Sequence, residues 1–202
     1  MRIGIFGGTF NPVHIAHLIL AEQAREAAGL DEVRFIPAPR PPHKEGEDVT
    51  PFERRAEMLR LALAGRSDFV VDEIEKERPG PSYTADTLAE LHRRHPGNEL
   101  FLMIGSDCLP DLPGWHEPLR IIDQAALVIV ARPGVPLWTH AQLAAALKLD
   151  DPARLRMRVV DWPLIDIASR DLRRRVAEGR SIRYMVPRAV EVYIHEKKLY
   201  RE

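Results

Sequence analysis

Two histidines spaced three residues apart are the side chains in this sequence whose type and spacing first suggest chemistry. His14 and His17 lie in the segment GGTFNPVHIAH at 7–17, which follows a short apolar run and precedes an amphipathic stretch. At such a strand-to-helix junction, backbone N–H groups and the helix dipole bind phosphate. Because residues i and i+3 share a face of a helix, both rings could donate hydrogen bonds to phosphate oxygens. A protonated ring would also offset the negative charge that develops during transfer.

Other phosphate-binding motifs and a metal site fit this segment less well. No Gly-Lys-Ser/Thr follows it, so it is not a P-loop, and the Gly-x-Gly-x-x-Gly fingerprint is missing. A third zinc ligand cannot be identified from spacing. One histidine near a helix start is usually a cap or a surface residue, but a pair directly after Gly-Gly-Thr-Phe-Asn-Pro favours a phosphate site.

The segment resembles the Gly-x-Phe-Asn-Pro-x-His-x-x-His motif of the nucleotidyltransferase superfamily. Five segments in the expected order make the chain similar, more narrowly, to the bacterial nicotinate mononucleotide adenylyltransferases: GGTFNPVHIAH, PPHK at 41–44, SYTADTL at 82–88, IGSD with LPGW within 104–115, and IASRDLR at 167–173, which runs into GRSIRYMVP at 179–187. The resemblance covers nearly the whole chain. It implies adenylyl transfer from ATP to nicotinate mononucleotide, giving deamido-NAD and pyrophosphate in NAD biosynthesis, by direct in-line attack of the mononucleotide phosphate on the α-phosphate.

The resemblance also implies which residues bind ATP. Both histidines would contact the phosphates, Ser169 would cap a helix facing the triphosphate, and Arg173 would hold the β- and γ-phosphates. His14, His17 and Arg173 are the implied catalytic residues, within an ATP-binding set of Gly8, Thr9, Phe10, His14, His17, Gly105, Asp107, Ser169 and Arg173. Gly105 would let a nucleoside approach, and Asp107 would accept from ribose hydroxyls or hold magnesium-bound water, with a helix cap as the alternative. Mg²⁺ is expected to bind through ATP phosphates and water, without a metal site of the protein.

For nicotinate mononucleotide the resemblance implies Lys44, Thr84, Trp115 and Arg132. The flat face of Trp115 could stack on a cationic pyridinium ring, an interaction worth roughly 0.5–2 kcal/mol, although a core tryptophan is the alternative. Thr84 lies at a predicted helix start, where backbone N–H groups could receive the nicotinate carboxylate. Lys44 and Arg132 are phosphate candidates.

The chain departs from the family pattern at three positions. Ala16 stands between the histidines where glycine is common, so an extra methyl group could tighten the approach to the nucleotide. The usual Ser-Ser-Thr run reads Ala168-Ser169-Arg170. The two missing hydroxyls put individual phosphate contacts in doubt, and Arg170 could replace one of them with a charge.

Alternating elements would position these residues. Short apolar runs predict strands at 2–7, 34–38, 69–74, 100–106, 125–132 and 157–161, and amphipathic stretches predict helices around 15–28, 51–64, 84–95, 139–148, 170–178 and 187–198. This alternation predicts an α/β, Rossmann-like, doubly wound parallel sheet in three α/β/α layers, the nucleotidyltransferase fold. Ligands bind such sheets beyond the carboxyl ends of the strands, which brings 7–17, 105–115 and 132–134 around one crevice. We expect a single nucleotidyltransferase domain over 1–202, with a C-terminal helical portion at about 167–202 completing the ATP site.

Boundary residues and buried positions give further local predictions. Thr50-Pro51-Phe52-Glu53 indicates a capping box with proline at the first helical position. Ser169 is expected to cap the next-to-last helix, with Leu172 and Val176 buried. The adjacent Arg174 and Arg175 are expected to face solvent.

Composition excludes several classes of protein. The 29 Lys and Arg residues nearly balance 30 Asp and Glu residues, which argues against a general nucleic-acid coat. No apolar run approaches about 18 residues, so we expect no membrane partner. Because the charges balance, we expect no nucleic-acid partner either. The single cysteine, Cys108, excludes a disulfide framework and fits a reducing compartment, and without an activating base it is interpreted as a packing residue. We therefore expect a cytoplasmic location.

Two alternative functions stay open. Another adenylyl- or cytidylyltransferase of the superfamily, acting on phosphopantetheine or glycerol phosphate, would share the histidine pair, but Thr84 and Trp115 favour a pyridine nucleotide. An ATP-sensing or RNA-binding module could keep the fold without the chemistry, and the basic run at 170–175 is the only feature that suggests RNA. Intact His14, His17 and Arg173 favour an active enzyme. The preference between nicotinate and nicotinamide forms and the presence of a homo-oligomer cannot be derived from these patterns.

Overall fold

A single six-stranded sheet, with every strand parallel to its neighbours, organises the molecule. A computed structural model describes residues 1–39, 49–76, 78, 80–132, 134–161, 163 and 165–201. Within these ranges the strands are β1 (Arg2–Gly8), β2 (Glu32–Pro37), β3 (Phe69–Val71), β4 (Glu99–Gly105), β5 (Ala125–Val130) and β6 (Met157–Val160). Their order is β3-β2-β1-β4-β5-β6. The predicted doubly wound α/β fold is confirmed.

Helices connect the strands and cover the sheet. They are α1 (Ile15–Ala28), α2 (Phe52–Leu63), α3 (Thr84–Arg94), α4 (Pro118–Gln124), α5 (His140–Ala146), α6 (Ser169–Ala177) and α7 (Arg188–Glu196). Sequence reasoning missed α4 and the 3₁₀ turns at Ser106–Cys108, Leu112–Gly114 and Pro152–Arg154. Each spans two turns or fewer, which is too short to establish a helical period of apolar residues.

The core consists of two apolar clusters, because successive side chains of a strand point to opposite faces. In β1, Ile3 and Ile5 belong to one cluster, while Phe6 belongs to the other together with Phe35 of β2. All six residues of β5 are buried, as expected for a strand covered on both faces. This packing holds the strand ends, and the loops that follow them, in fixed positions.

The site-forming edge lies where the winding of the sheet reverses. β1 pairs with β2 on one side and with β4 on the other, so the chain moves outward in both directions from the β1–β4 pair. β1 ends at Gly8 and β4 ends at Gly105. The loops that follow these strands therefore border the crevice in which ligands of such sheets bind.

The predicted capping box at the start of α2 is wrong. Pro51, not Thr50, precedes the first helical residue, and no side chain caps the helix. The Thr50 side chain interacts instead with the hydroxyl of Tyr200, and the Thr50 carbonyl accepts a hydrogen bond from Arg55 Nε at 2.8 Å. Thr50 thus bonds to Tyr200 and Arg55 instead of capping α2.

Candidate active site

The β1–α1 loop forms one wall of the candidate site. Phe10 has a φ of 48° and is 2% exposed, and its ring packs edge-on against Phe6 and His17. A side chain at Gly8 would come within 3.0 Å of the Phe10 ring, so glycine lets this ring turn inward. The Phe10 side chain therefore supports His17 from the core, and only its backbone could contact ATP.

His14 and His17 lie against each other at the start of α1. Their ring centroids are 3.6 Å apart with an interplanar angle of 25°. The His14 backbone N–H donates to Nδ1 of His17 at 3.2 Å, so in the neutral ring of His17 the proton is on Nε2. Within the described part of the chain, the buried Nδ1 of His14 has no hydrogen-bond partner. The pair thus has hydrogen-bonding capacity left for a ligand.

Both rings are neutral near pH 7 in the free protein. Burial and, to a smaller extent, the positive charge of Arg132 together lower the pKa of His14 to about 4. Burial, then His14 and Arg132, holds the pKa of His17 well below its usual range. The expectation of a protonated ring therefore does not hold before substrate binds. A neutral imidazole still donates one N–H hydrogen bond to a phosphate oxygen.

A cavity of about 270 Å³ opens beside the histidines. Its lining includes both rings, Ala16 between them, and Asp107 and Arg132 from the loops after β4 and β5. The segment at 165–168, directly before α6, closes the other side. The methyl group of Ala16 thus lies at the cavity, as its departure from the family pattern suggested.

Asp107 and Arg132 form an ion pair across the ends of β4 and β5. Arg132 Nε lies 3.3 Å from Asp107 Oδ1, and each side chain is about half exposed. A Cβ atom at Gly105 would collide with the Asp107 carboxylate and lie 2.9 Å from Arg132 Nε. A side chain at position 105 would therefore displace one or both members of the pair. Because exposed ion pairs contribute little free energy, both charges can exchange this partner for a ligand.

Ser169 and Arg173 attach α6 to the β1–α1 loop. Ser169 is the first residue of α6 and Ala168 precedes it, so the predicted Ser169 cap is wrong. Ser169 Oγ donates to the Pro12 carbonyl at 2.9 Å, and Arg173 Nη1 donates to the Asn11 carbonyl at 2.9 Å. The serine hydroxyl is thus committed to another element. The Arg173 guanidinium has five N–H donors in total, so further donors can reach a phosphate.

The residues implied for the mononucleotide lie in separate places. Thr84 begins α3, as predicted, and Tyr83 before it stacks on His116 with centroids 4.2 Å apart. The neighbouring Trp115 is half-buried and packs against one core cluster. Thr84 and Trp115 are thus linked by the Tyr83–His116 stack and, in the described structure, do not line the 270 Å³ cavity. Lys44 lies outside the described residues.

Sequence reasoning missed Arg55 of α2. It is 1% exposed, and its Nη1 donates to the Thr9 carbonyl of the β1–α1 loop at 2.7 Å. A signal was available, because position 55 falls on the same helical face as the apolar residues Phe52 and Leu59. An arginine on an apolar face is unusual, and such a residue needs buried partners.

The remaining local predictions have mixed outcomes. Leu172 and Val176 are buried and Arg174 is exposed, as predicted. Arg175 is half-buried, and its Nε donates to the Ser181 carbonyl at 2.9 Å, so its predicted solvent orientation is wrong. Burial raises the pKa of the Cys108 thiol, which supports the interpretation of Cys108 as a packing residue.

Over the described ranges, no group of three or more His, Cys, Asp or Glu side chains could hold a metal ion. None of the described helices is long and apolar enough to cross a bilayer.

The chain is similar in sequence to known proteins over most of its length. A family model described as cytidylyltransferase-like matches residues 5–175. The probable nicotinate-nucleotide adenylyltransferase of Thermomicrobium roseum is 48% identical over 200 residues, which cover 99% of this chain and 92% of the relative. A protein of the same name from Thermus thermophilus is 48% identical over all of both chains.

A solved structure shares the fold at much lower identity. The nicotinic acid mononucleotide adenylyltransferase of Plasmodium falciparum, in complex with NaAD, superposes with a TM-score of 0.79 and 19% sequence identity. The match covers 98% of this chain and 97% of that one. The sheet and its surrounding helices are therefore common to both proteins.

Proposed function

The chain belongs to the cytidylyltransferase-like family and, within it, to the nicotinate-nucleotide adenylyltransferases, and we propose that it joins ATP and nicotinate mononucleotide. The products are deamido-NAD and pyrophosphate, in NAD biosynthesis. One structural observation carries the proposal: the cavity at the ends of β1, β4 and β5 brings His14, His17 and Arg132 together. Hydrogen-bond donors and a fixed cation converge there, as transfer of a phosphoryl group requires.

The proposed chemistry is direct adenylyl transfer. The mononucleotide phosphate attacks the α-phosphorus of ATP in line, a new P–O bond forms, and the bond to the β-phosphate bridging oxygen breaks to release pyrophosphate. Because the nucleophile is already an anion near neutral pH, no general base is needed. Catalysis then consists of orientation and charge stabilisation.

Three side chains would stabilise the negative charge that develops on the phosphates during adenylyl transfer. His14 donates to the α-phosphate, and His17 donates to the triphosphate. Arg173 donates one N–H to the Asn11 carbonyl, and its other N–H groups would donate to the leaving pyrophosphate. Negative phosphate beside the histidines opposes the effects of burial and of Arg132, so the pKa of His14 rises when ATP binds.

Mg²⁺ would accompany ATP in this site. Asp107 and Asp166 line the cavity, and their carboxylates would hold water molecules bound to Mg²⁺, whose other ligands would be phosphate oxygens of ATP. When bound, Mg²⁺ neutralises charge on the phosphates. Asp107 is the residue best placed to hold it through water, because its partner Arg132 can turn to a substrate phosphate.

The mononucleotide would occupy the side of the site formed by α3 and the loop before α4. The N-terminus of α3 at Thr84 would receive the nicotinate carboxylate, and Trp115 would stack on the pyridinium ring. Arg132 would hold the phosphate together with Lys44.

The wider setting follows from the two substrates. ATP and a mononucleotide are small molecules of the cytoplasm, where we place the protein, without a nucleic-acid or membrane partner. A single domain over 1–202 is supported by the bonds from Ser169 and Arg173 to the β1–α1 loop, through which the portion at 167–202 would complete the ATP site.

The first experiment measures pyrophosphate release from ATP and Mg²⁺, with nicotinate and nicotinamide mononucleotides in parallel. Rapid release with the nicotinate form, and deamido-NAD as the product, is expected. Phosphopantetheine and glycerol phosphate serve as comparison acceptors, and glycerol phosphate is also tested with CTP. Release only with one of these would reject the pyridine-nucleotide assignment while keeping the reaction class. Salt-dependent RNA binding without any turnover would reject the enzyme.

A further inference from the structure

A buried arginine without a place in the proposed reaction lies directly behind the β1–α1 loop. Besides its bond to Thr9, Arg55 donates from Nε to the Thr50 carbonyl at 2.8 Å. Its Nη2 donates to the carbonyls of Ala38 and Pro39 at 2.8 and 3.4 Å. One guanidinium thus joins the loop after β1, the segment after β2 and the residues before α2.

The charge of Arg55 is satisfied in an unusual way. Over the described ranges, no carboxylate lies within ion-pair distance of it. Burial lowers the pKa of the guanidinium, but arginine keeps its charge in proteins. Burying a charge is costly, so the hydrogen bonds of Arg55 to backbone carbonyls must offset that cost. The position of the guanidinium and the positions of these carbonyls are therefore tied to each other, since moving either would leave buried polar groups unpaired.

The contacts also place Arg55 close to the reaction. Thr9 is directly followed by Phe10, whose positive φ turns its ring beneath His17. Because Arg55 holds the Thr9 carbonyl, it also holds the turn that places the Phe10 ring against His17. In addition, Ala38 donates its N–H to the Gly8 carbonyl at 2.9 Å, so Arg55 reinforces an existing link between the ends of β1 and β2.

We propose that Arg55 is a positioning residue for ATP: it holds the β1–α1 loop in the conformation that binds the phosphates. It acts through the loop backbone and touches no substrate. Its buried charge also contributes to the positive potential behind the phosphates; Glu53 acts on this charge through space, and no described carboxylate pairs with it directly. The inference rests on the proposed function, since it requires that the loop bind ATP.

The test compares substitutions at Arg55 with the same substitutions at its neighbour. Arg55→Lys keeps the charge but loses the fork of donors, and Arg55→Met keeps the length but loses the charge. Arg54→Lys and Arg54→Met are matched controls, because Arg54 is exposed on the same helix and its Nη1 donates to the Tyr193 hydroxyl at 3.1 Å. Calorimetry with a non-hydrolysable ATP analogue measures affinity without the acceptor, and circular dichroism verifies folding.

The two Arg55 variants should bind the analogue more weakly, by about 100-fold for Met and less for Lys, since small displacements of a binding loop have effects of this order. The Arg54 controls should stay within about twofold of the parent protein. Folded Arg55 variants with unchanged affinity would overturn the proposal. So would failure of both to fold, because Arg55 would then serve the fold alone.

Chemical rescue separates positioning from general destabilisation. In Arg55→Ala, added methylguanidinium should fill the space, restore the bonds to the carbonyls and recover much of the ATP-analogue affinity. Methylammonium, which lacks the planar fork, should recover little. Equal recovery by both cations, or recovery by neither, would overturn the assignment. Because the analogue needs no acceptor, these outcomes are independent of whether nicotinate mononucleotide is the true substrate, which product analysis of the parent protein decides.

Discussion

His14 is the residue on which the proposed chemistry depends most directly. Its ring is 5% exposed, is stacked on His17, and has an Nδ1 without a partner in the described structure. His14→Ala is expected to lower kcat by about 10²–10³, comparable with the loss of one oxyanion-hole donor. Pyrophosphate release measures the change. His195→Ala is the control, since His195 is exposed and lies outside the cavity. Near-normal turnover of His14→Ala would remove His14 from the mechanism.

Arg132 offers a second prediction at this scale, because it acts on the protonation of His14. Burial is the larger cause of the low pKa of His14, and Arg132 is the second. Arg132→Met should therefore raise the pKa of His14 from about 4 while leaving it below the ordinary 6.5. A titration of the imidazole C–H signals by NMR measures this directly. An unchanged value would show that burial alone sets the protonation state.

At the scale of elements, the sequence indicated where helices begin more reliably than what caps them. The start of α1 at Ile15 and of α3 at Thr84 agreed with prediction, because apolar periodicity is a local signal. The roles of Thr50 and Ser169 did not agree, since each hydroxyl found a partner far along the chain, at Tyr200 and Pro12. No local pattern reveals such a choice.

The contact between α6 and the β1–α1 loop gives the prediction that belongs to this scale. Ser169→Ala removes the donor to the Pro12 carbonyl. We expect the free energy of unfolding to fall by about 1 kcal/mol and KM for ATP to rise, while kcat changes less. Ser67→Ala, at an exposed position, is the control for both measurements. A fall in stability with an unchanged KM would limit Ser169 to a structural role.

At the scale of the whole molecule, the parallel order of the sheet makes the location of the site predictable. Alternating strands and helices implied a crevice at the strand ends, and the cavity beside His14 and Arg132 lies there. Its electrostatics were not predictable, because the low pKa values of the histidines arise from burial and from Arg132, which is distant in sequence. Arg55 was missed for a related reason: its partners are backbone carbonyls, which leave no pattern of residue types.

The buried histidines also predict how the stability of the molecule depends on pH. The pKa of His14 falls from 6.5 to about 4 on folding, so between these values the unfolded chain binds more protons. The resulting stability is complete above pH 6.5 and decreases as the pH falls, by about 3 kcal/mol for His14 near pH 4. His17, lowered in the same direction, adds to the loss.

Urea denaturation at pH 7 and pH 4 tests this for the free protein and for His14→Asn, which cannot titrate. The comparison uses the change between the two pH values, so any constant destabilisation of the variant cancels. Asp68 does not interfere in this window, because Arg66 lowers its pKa to about 2 and its stabilising effect is lost mainly below pH 4. The parent protein should lose about 3 kcal/mol more than His14→Asn. Equal losses would mean that His14 is protonated as readily in the folded protein as in the unfolded chain, and its ring would then carry a positive charge into the reaction at mildly acidic pH.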